Sequence, residues 1–155
     1  YETTTPVDTI VCLDGLEVVG AFLAEELAKA GVLSMNAHKT IYIVTPEFNA
    51  NGQMLFRDNT QHMIQNRNVV VLMGSITTGV TLQRCIDSVL YYGGKITGVS
   101  AIFSAINKIA GMEINAVYHK QDIPEYESYS AKDCPMCQKK MKIDAIVNGY
   151  GYSKL

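Results

Sequence analysis

The sequence has no tryptophan, only four prolines and no large surplus of charge of either sign. Its 155 residues include thirteen Lys and Arg against fifteen Asp and Glu, which gives a formal net charge of -2. The basic residues are scattered, so the electrostatic footprint of a nucleic-acid-binding protein is lacking. The apolar runs are broken well before the ~20 residues that a membrane span needs. We therefore expect a cytoplasmic protein that binds neither nucleic acid nor membranes.

Cysteine is scarce as well, and the four present do not resemble the framework of a secreted disulfide-rich domain. Cys12 and Cys85 lie in apolar, core-like patterns, whereas Cys134 and Cys137 form a C-x-x-C pair. This spacing occurs in metal knuckles and in redox pairs. A tetrahedral zinc site needs four ligands, and the sequence has no second pair. A complete site would need His119, His38 or a symmetry partner as well, so we assign no metal site and expect two unliganded thiols.

Hydrophobic residues make up 48% of the chain, which is enough for a domain of this length to build a core. Short runs rich in β-branched residues alternate with helical patterns. This alternation predicts an α/β fold with a central, mainly parallel sheet flanked by helices. Helices are predicted from Leu16 to a stop at Gly31 and from Thr81 to a stop at Gly93. The predicted strands are Thr9 to Leu13, Thr40 to Val44, Asn68 to Met73, Ile96 to Phe103 and Ile114 to Tyr118.

Two segments lack such patterns. Residues 46 to 65 are interrupted by Asn, Asp and Gly, which predicts a long mobile loop or an extended hairpin. Regular periodicity fades after Tyr118. We therefore expect residues 1–122 to form the core and residues 123–155 to form a tail segment packed on it, within a single domain overall.

The turn after the third predicted strand has the composition of a phosphate-binding loop. The strand V-V-L-M-G-S leads into I-T-T-G-V-T, and the amides that begin the next helix carry the positive end of its dipole. Threonine hydroxyls can donate, and glycine lets the backbone approach an anion. The same string could instead be a simple helix cap in which Thr78 or Thr81 satisfies backbone donors. The residues that we expect to bind a monophosphate are Ser75, Ile76, Thr77, Thr78, Gly79, Val80 and Thr81.

This turn, together with G-G-K-I-T-G-V-S-A-I-F further along the chain, resembles the PRPP-binding region of type I phosphoribosyltransferases. Residues 7 to 28 are similar to the first strand, pyrophosphate loop and first helix of that family. V-T-P-E-F-N-A-N-G, residues 44 to 52, lies where orotate phosphoribosyltransferases carry their flexible loop. Residues 123 to 137 look like the C-terminal segment of a bacterial and archaeal branch of those enzymes. The resemblance covers nearly the whole chain in order and spacing.

The resemblance implies the type I phosphoribosyltransferase fold and a homodimer. It also implies a reaction in pyrimidine nucleotide synthesis, the transfer of phosphoribosyl from PRPP to orotate with Mg²⁺. By the same resemblance, Asp14 and Gly15 would belong to the pyrophosphate loop. Glu47 and Asn49 would lie on the flexible loop as the candidate catalytic residues.

The sequence departs from the family pattern at its charged positions. The two adjacent acidic residues that hold the ribose hydroxyls of PRPP in the family correspond here to Met73 and Gly74. Asp14 adds a negative charge to the pyrophosphate loop, where we expect it to cap the first helix. The basic residues of the flexible loop correspond to Thr45, Pro46, Asn49 and Asn51.

These departures leave two other functions open besides transfer. One is a noncatalytic module that binds a nucleotide or phosphate on the same fold. The other is a purely structural domain whose threonine turn caps a helix. The loss of the acidic pair and of the loop cations supports the noncatalytic module.

Overall fold

A computed structural model of the chain describes residues 5–29, 36–37, 39–130, 132–148 and 150–155. These residues fall into two compact units, residues 1–122 and 123–155. The elements of the larger unit are, in chain order, β1 (Thr9–Cys12), α1 (Glu17–Lys29), β2 (Tyr42–Val44), β3 (Glu47–Phe48), β4 (Met54–Leu55), α2 (Asp58–Gln61), β5 (Asn68–Ile76), α3 (Val80–Tyr91), β6 (Lys95–Ser104), β7 (Lys108–Ile109), β8 (Met112–His119) and the 3-10 helix Lys120–Asp122.

A six-stranded sheet forms the centre of this unit, in the order β2-β1-β5-β6-β8-β7. All neighbouring strands are parallel except β7, which runs antiparallel to β8 at one edge. The predicted α/β fold with a mainly parallel sheet is therefore confirmed, and each of the five predicted strands is present. The central strands β1 and β5 are apolar almost throughout because helices cover both faces of the sheet there.

The order of the strands reverses between β1 and β5. The chain passes from β1 to β2 on one side, and it then returns through β5 and continues to β6 and β8 on the other side. In parallel α/β sheets, ligands bind beyond the carboxyl ends of the strands at such a reversal. Cys12, the last residue of β1, pairs with Leu72, whereas β5 continues to Ile76. The end of β5 therefore has no strand beside it on the β1 side.

Alternate residues of β1 and β5 build two cores on opposite faces of the sheet. Ile10 and Leu72 contribute to the core beneath α1. Val11 and Val71 contribute to the larger core beneath α3. The buried side chains of α3 recur at helical spacing, at Leu82, Cys85, Ile86 and Val89.

The ends of the helices agree with the sequence where the structure describes them. Gly93 has a φ of +77° and donates to the carbonyl of Leu90 at 3.0 Å, so α3 ends where it was predicted to end. The predicted stop of the first helix, Gly31, lies outside the described residues. Among the residues that the structure describes, no helix is long and apolar enough to cross a bilayer.

Residues 46 to 65 form an antiparallel hairpin of β3 and β4, followed by the short helix α2. The hairpin packs beside α3, where the Ser88 hydroxyl donates to the carbonyl of Met54 at 2.9 Å. Of the two predicted alternatives for this segment, the hairpin is the one observed.

The smaller unit contains the four-residue helix α4 (Pro135–Gln138) and an antiparallel hairpin of β9 (Ala145–Asn148) and β10 (Gly151–Lys154). None of its described residues is buried. Sequence periodicity did not predict this hairpin. The expectation that the tail packs on the core stays a prediction.

Removing a large side chain from the core beneath α3 should destabilise the protein strongly. We expect Leu82→Ala to lower the free energy of unfolding by about 2–5 kcal/mol, because Leu82 is fully buried and its loss leaves a cavity. The matched control is Leu90→Ala on the same helix, where the side chain is 55% exposed. Urea denaturation of both variants measures the difference. Equal losses would contradict this packing of α3.

Candidate functional site

The turn between β5 and α3 lies at the strand-order reversal and is open to solvent. Thr77, Thr78, Val80 and Thr81 are exposed, whereas Gly79 is buried. The first backbone bond of α3 runs from the amide of Gln83 to the carbonyl of Gly79, at 2.8 Å. Within the described part of the chain, the amides of residues 77 to 82 have no acceptor. Several N–H donors at the positive end of a helix dipole therefore remain for an anion.

The simpler explanation for this turn, a side-chain cap, is not what the structure shows. The N-cap residue of α3 is Gly79, which has no side chain to accept a bond. Among the described residues, neither Thr78 nor Thr81 makes the capping bond that the sequence left open. Their hydroxyls lie on the exposed side of the turn and can act as donors.

Gly79 has a structural role in addition to the close approach to an anion that the sequence suggested, which stays a prediction. Its φ is +82°, a left-handed conformation that favours glycine. A Cβ added here would lie 2.9 Å from Cδ1 of Ile106 and 3.1 Å from Cδ1 of Ile109. The glycine therefore fixes the turn and lets it pack against the segment that joins β6 to β7.

The loop after β1 lies on the other side of the reversal. Asp14 and Gly15 have φ values of +59° and +75°, and the Leu16 amide donates to the carbonyl of Leu13 at 3.2 Å. Positive φ at both central positions defines a type I′ turn, for which Asp-Gly is a preferred pair. Gly15 is exposed, and a Cβ added to it would meet nothing within 4 Å. This loop and the threonine turn thus border the same open edge of β5.

Asp14 does not cap α1, which corrects the expectation from its position in the sequence. Its Oδ2 instead accepts a hydrogen bond from the Gly74 amide at 3.0 Å. The left-handed backbone of Asp14 directs the chain away from the geometry of an N-cap, which has extended dihedrals. The carboxylate continues the pairing along the edge of β5 where β1 has ended.

Met73 and Gly74, the β5 residues at the positions of the acidic pair in the family that the sequence resembles, have different surroundings. Met73 is 3% exposed and belongs to the larger core. Gly74 is partly exposed, and the Asp14 carboxylate lies against it. Sequence reasoning missed this contact because Asp14 and Gly74 are sixty residues apart, and no local pattern links them.

Glu47 and Asn49, the candidate catalytic residues, both make local bonds in the hairpin. Glu47 forms a two-point ion pair with Arg57, with N–O distances of 2.9 and 2.6 Å, and the bond to Arg57 lowers the pKa of Glu47. The Asn49 Oδ1 accepts from the amides of Asn51 and Gln53, both at 2.9 Å. These bonds shape the hairpin, and the catalytic assignment stays a prediction.

A second concave surface lies between this hairpin and α3, with a volume of about 730 Å³. Its cation is Arg84, and Asp87 lies one helical turn further on. Because this surface also carries the negative charge of Asp87 and borders the flank of α3 rather than its start, we regard the threonine turn as the better anion site.

The C-x-x-C pair begins α4, with Cys134 at its N-cap. The Cys137 amide donates to the Cys134 sulfur at 3.4 Å, and this bond lowers the pKa of the Cys134 thiol. The bond between the two thiols raises the pKa of Cys137. The described residues contain no group of three or more His, Cys, Asp or Glu that could hold a metal ion.

Comparisons with known proteins bear on the fold. No protein-family model and no curated protein matches the chain. Among solved structures, the hypoxanthine phosphoribosyltransferase of Trypanosoma cruzi matches with a TM-score of 0.53 and 13% identity, over 75% of this chain and 62% of that chain. The same enzyme in complex with the product IMP matches with a TM-score of 0.51 and 14% identity, over 75% of this chain and 58% of that one.

A hypoxanthine phosphoribosyltransferase in which an invariant aspartic acid is changed to glutamic acid also matches, with a TM-score of 0.51 and 14% identity, over 75% of this chain and 63% of that chain. The chain thus spans less than two thirds of the length of these enzymes. At such identities the likeness establishes the fold alone. The chain has the type I phosphoribosyltransferase fold, as the sequence predicted. The orotate branch stays a prediction, because these structures are hypoxanthine enzymes.

Parallel alanine substitutions of Gly79 and Gly15 separate the effect of packing around Gly79 from the effect of backbone strain. Gly79→Ala and Gly15→Ala both put alanine at a positive φ, which costs about 1–2 kcal/mol. We expect Gly79→Ala to be the more destabilising in thermal melts, because only its Cβ would clash, with Ile106. Adding Ile106→Val, which removes the clashing Cδ1, should recover part of the loss. Equal destabilisation by the two alanines would contradict the packing role.

The four thiols should differ in their reactivity towards iodoacetamide near pH 7.5, because the thiolate is the reactive form. Cys134, with its lowered pKa, should react before Cys137. Burial raises the pKa of Cys12 to about 11 and that of Cys85 to about 12, so both should stay unmodified in the folded protein. Peptide mass spectrometry over time measures the order. Earlier labelling of Cys137, or a Cys134→Ser variant that keeps the fast phase, would contradict it.

Proposed function

We propose that this protein binds a phosphoribosyl compound, with its 5′-phosphate held by residues 77 to 81. The observation that carries the proposal is the exposed turn whose amides have no acceptor among the described residues. A phosphate monoester has several oxygens that can accept such hydrogen bonds, and its charge suits the helix dipole. Ser75 and Ile76 end β5 just before the turn and complete the proposed phosphate-binding segment.

The position of the turn supports a ligand larger than phosphate. The Asp14-Gly15 loop and the threonine turn flank the open edge of β5, so a group attached to the phosphate would extend between them. The type I phosphoribosyltransferase fold supports a phosphorylated ribose as that group. Hypoxanthine phosphoribosyltransferase, which shares this fold, has been solved with its product IMP.

The function that we favour is a noncatalytic module that binds a phosphoribosyl compound. Transfer of phosphoribosyl from PRPP to orotate is the second candidate, and the segments quoted for the orotate branch favour it. Against transfer, Arg57 is paired with Glu47, and the hairpin positions that correspond to basic residues hold none. Without such cations a departing pyrophosphate lacks stabilisation, and one lost donor can cost on the order of 10²-fold in rate.

Mg²⁺ belongs to the transfer hypothesis and would come with PRPP. Magnesium bound to nucleotides and similar ligands is held by one or two carboxylates together with the phosphates of the substrate. The residues present fit this limited demand, because Asp14 supplies one exposed carboxylate in the proposed pyrophosphate loop. The ion would neutralise charge on the pyrophosphate. We further propose that the protein is a cytoplasmic homodimer, as expected from the sequence.

A charge placed in the turn tests the phosphate site. We expect Thr78→Asp to weaken binding of ribose 5-phosphate by at least about tenfold, because a carboxylate beside the amides repels the phosphate and competes for them. The matched control is Thr78→Asn, which has nearly the same size without the charge and should bind within about threefold of the natural protein. Isothermal titration calorimetry measures both. If Thr78→Asp binds as tightly as Thr78→Asn, the phosphate does not bind at this turn.

Titration combined with an assay for product formation separates binding from transfer. A module should bind ribose 5-phosphate and form no orotidine 5′-monophosphate when incubated with PRPP, Mg²⁺ and orotate. Formation of that product by the natural protein, and its loss in Thr78→Asp, would instead support the enzyme. If neither PRPP nor ribose 5-phosphate binds, the turn serves only to begin a helix.

A further inference from the structure

The Asp14 carboxylate has one oxygen fixed by the protein and one oxygen left for a ligand. Oδ2 accepts from the Gly74 amide at 3.0 Å, which anchors the group at the open edge of β5. Asp14 is exposed, and no Lys or Arg in the described part of the chain forms an ion pair with it. A carboxylate accepts up to about four hydrogen bonds. The anchored group therefore has unused acceptor capacity at the proposed site.

The carboxylate packs closely against Gly74. A Cβ added to Gly74 would lie 3.3 Å from Cβ and 3.4 Å from Oδ2 of Asp14. These are tight contacts, so a side chain at position 74 would require Asp14 to shift by a few tenths of an ångström. The β1 loop thus supplies an acidic group at the edge where β5 itself carries none.

The distance along β5 suits a phosphorylated sugar. Gly74 and Thr77 are three residues apart, which corresponds to about 10 Å of extended chain. A phosphate at the turn and a group bound by Asp14 would be separated by about the span of a sugar ring with its C5 substituent. Both binding groups lie beyond the carboxyl end of β1, along the part of β5 that has no strand beside it.

The charge of Asp14 indicates what it would bind. A carboxylate repels phosphate, so it does not serve the anion directly. An ionised carboxylate is only an acceptor, and the donors that an uncharged sugar offers are its hydroxyl groups. In the noncatalytic module, where no Mg²⁺–PRPP complex is required, hydroxyl groups of the ring are therefore the partners that match this position.

We propose that Asp14 is a specificity-determining residue that accepts hydrogen bonds from the ribose hydroxyls and selects 5-phosphorylated ribose over its 2-deoxy analogue. The proposal rests on the proposed function, because it requires the phosphate to bind at residues 77 to 81. Hydrogen bonds to charged groups are stronger than neutral ones and contribute about tenfold or more to affinity.

The test compares ribose 5-phosphate, 2-deoxyribose 5-phosphate and inorganic phosphate by calorimetry. EDTA is present throughout, which removes any contribution from divalent cations. We expect the natural protein to bind the ribose compound about tenfold more tightly than the deoxyribose compound. Asp14→Asn should reduce this preference to about twofold or less, because the amide keeps an acceptor for Gly74 and loses the charge. Its affinity for inorganic phosphate should stay the same or increase.

The chain offers a closely matched control at the opposite end of β5. Asp8 Oδ2 accepts from the amide of Asn68, the first residue of β5, at 2.9 Å. Asp8→Asn therefore also removes a carboxylate charge that accepts a hydrogen bond from a β5 amide, but it does so far from the proposed site. We expect it to keep the full preference for ribose. Loss of the preference in both variants would mean that the effect arises from stability rather than from contact.

The outcomes separate the two hypotheses. If inorganic phosphate and ribose 5-phosphate both fail to bind the natural protein, the phosphate site and the role of Asp14 fall together. If both sugar phosphates bind with equal affinity, or if Asp14→Asn keeps the preference, the phosphate site survives and the role of Asp14 is wrong.

A second measurement needs no variant. The amide signal of Gly74 in a ¹H–¹⁵N NMR spectrum reports on its bond to Asp14, so a hydroxyl that binds this carboxylate should move the signal. We expect ribose 5-phosphate to shift it clearly more than 2-deoxyribose 5-phosphate at saturation. Equal shifts with the two compounds would contradict a contact between Asp14 and the hydroxyl that distinguishes them.

Discussion

The site depends on the unequal lengths of β1 and β5. Because β1 ends at Cys12 while β5 continues to Ile76, the parallel ladder stops before β5 does. Backbone groups at the end of a strand and at the start of a helix need partners. Here the Asp14 carboxylate satisfies the Gly74 amide. The amides of residues 77 to 82 remain without an acceptor among the described residues, which makes a polar, solvent-facing edge at the centre of an otherwise apolar sheet.

Glycines keep this edge open in two different ways. Gly79 adopts a left-handed conformation and packs against Ile106, so the threonine turn has no side chain that caps its amides. Gly74 leaves room for the Asp14 carboxylate. The result is an arrangement with hydrogen-bond donors at one end and an anchored acceptor at the other. A phosphate ester of a sugar has the complementary pattern, with acceptors on its phosphate and donors on its ring.

The sequence predicted the sheet well because the central strands β1 and β5 are nearly continuous apolar runs and the covering helix α3 is amphipathic. The position of the threonine turn between β5 and α3 was also predicted, since its Gly and Thr residues are adjacent in the chain, and its binding of phosphate stays a prediction. The contact between Asp14 and Gly74 could not be predicted in this way. An Asp-Gly pair before a helix is compatible with a cap, and only the pairing of β1 with β5 brings Asp14 to Gly74. The hairpin of the tail was missed because its strands alternate poorly and remain exposed.

The central claim is that free amides at residues 77 to 81 hold a 5′-phosphate. A crystal structure of the protein with ribose 5-phosphate tests it most directly. The account predicts phosphate oxygens within hydrogen-bond distance of at least two of these amides, with the sugar extending towards Asp14. A phosphate bound instead beside Arg84, on the flank of α3, would contradict it.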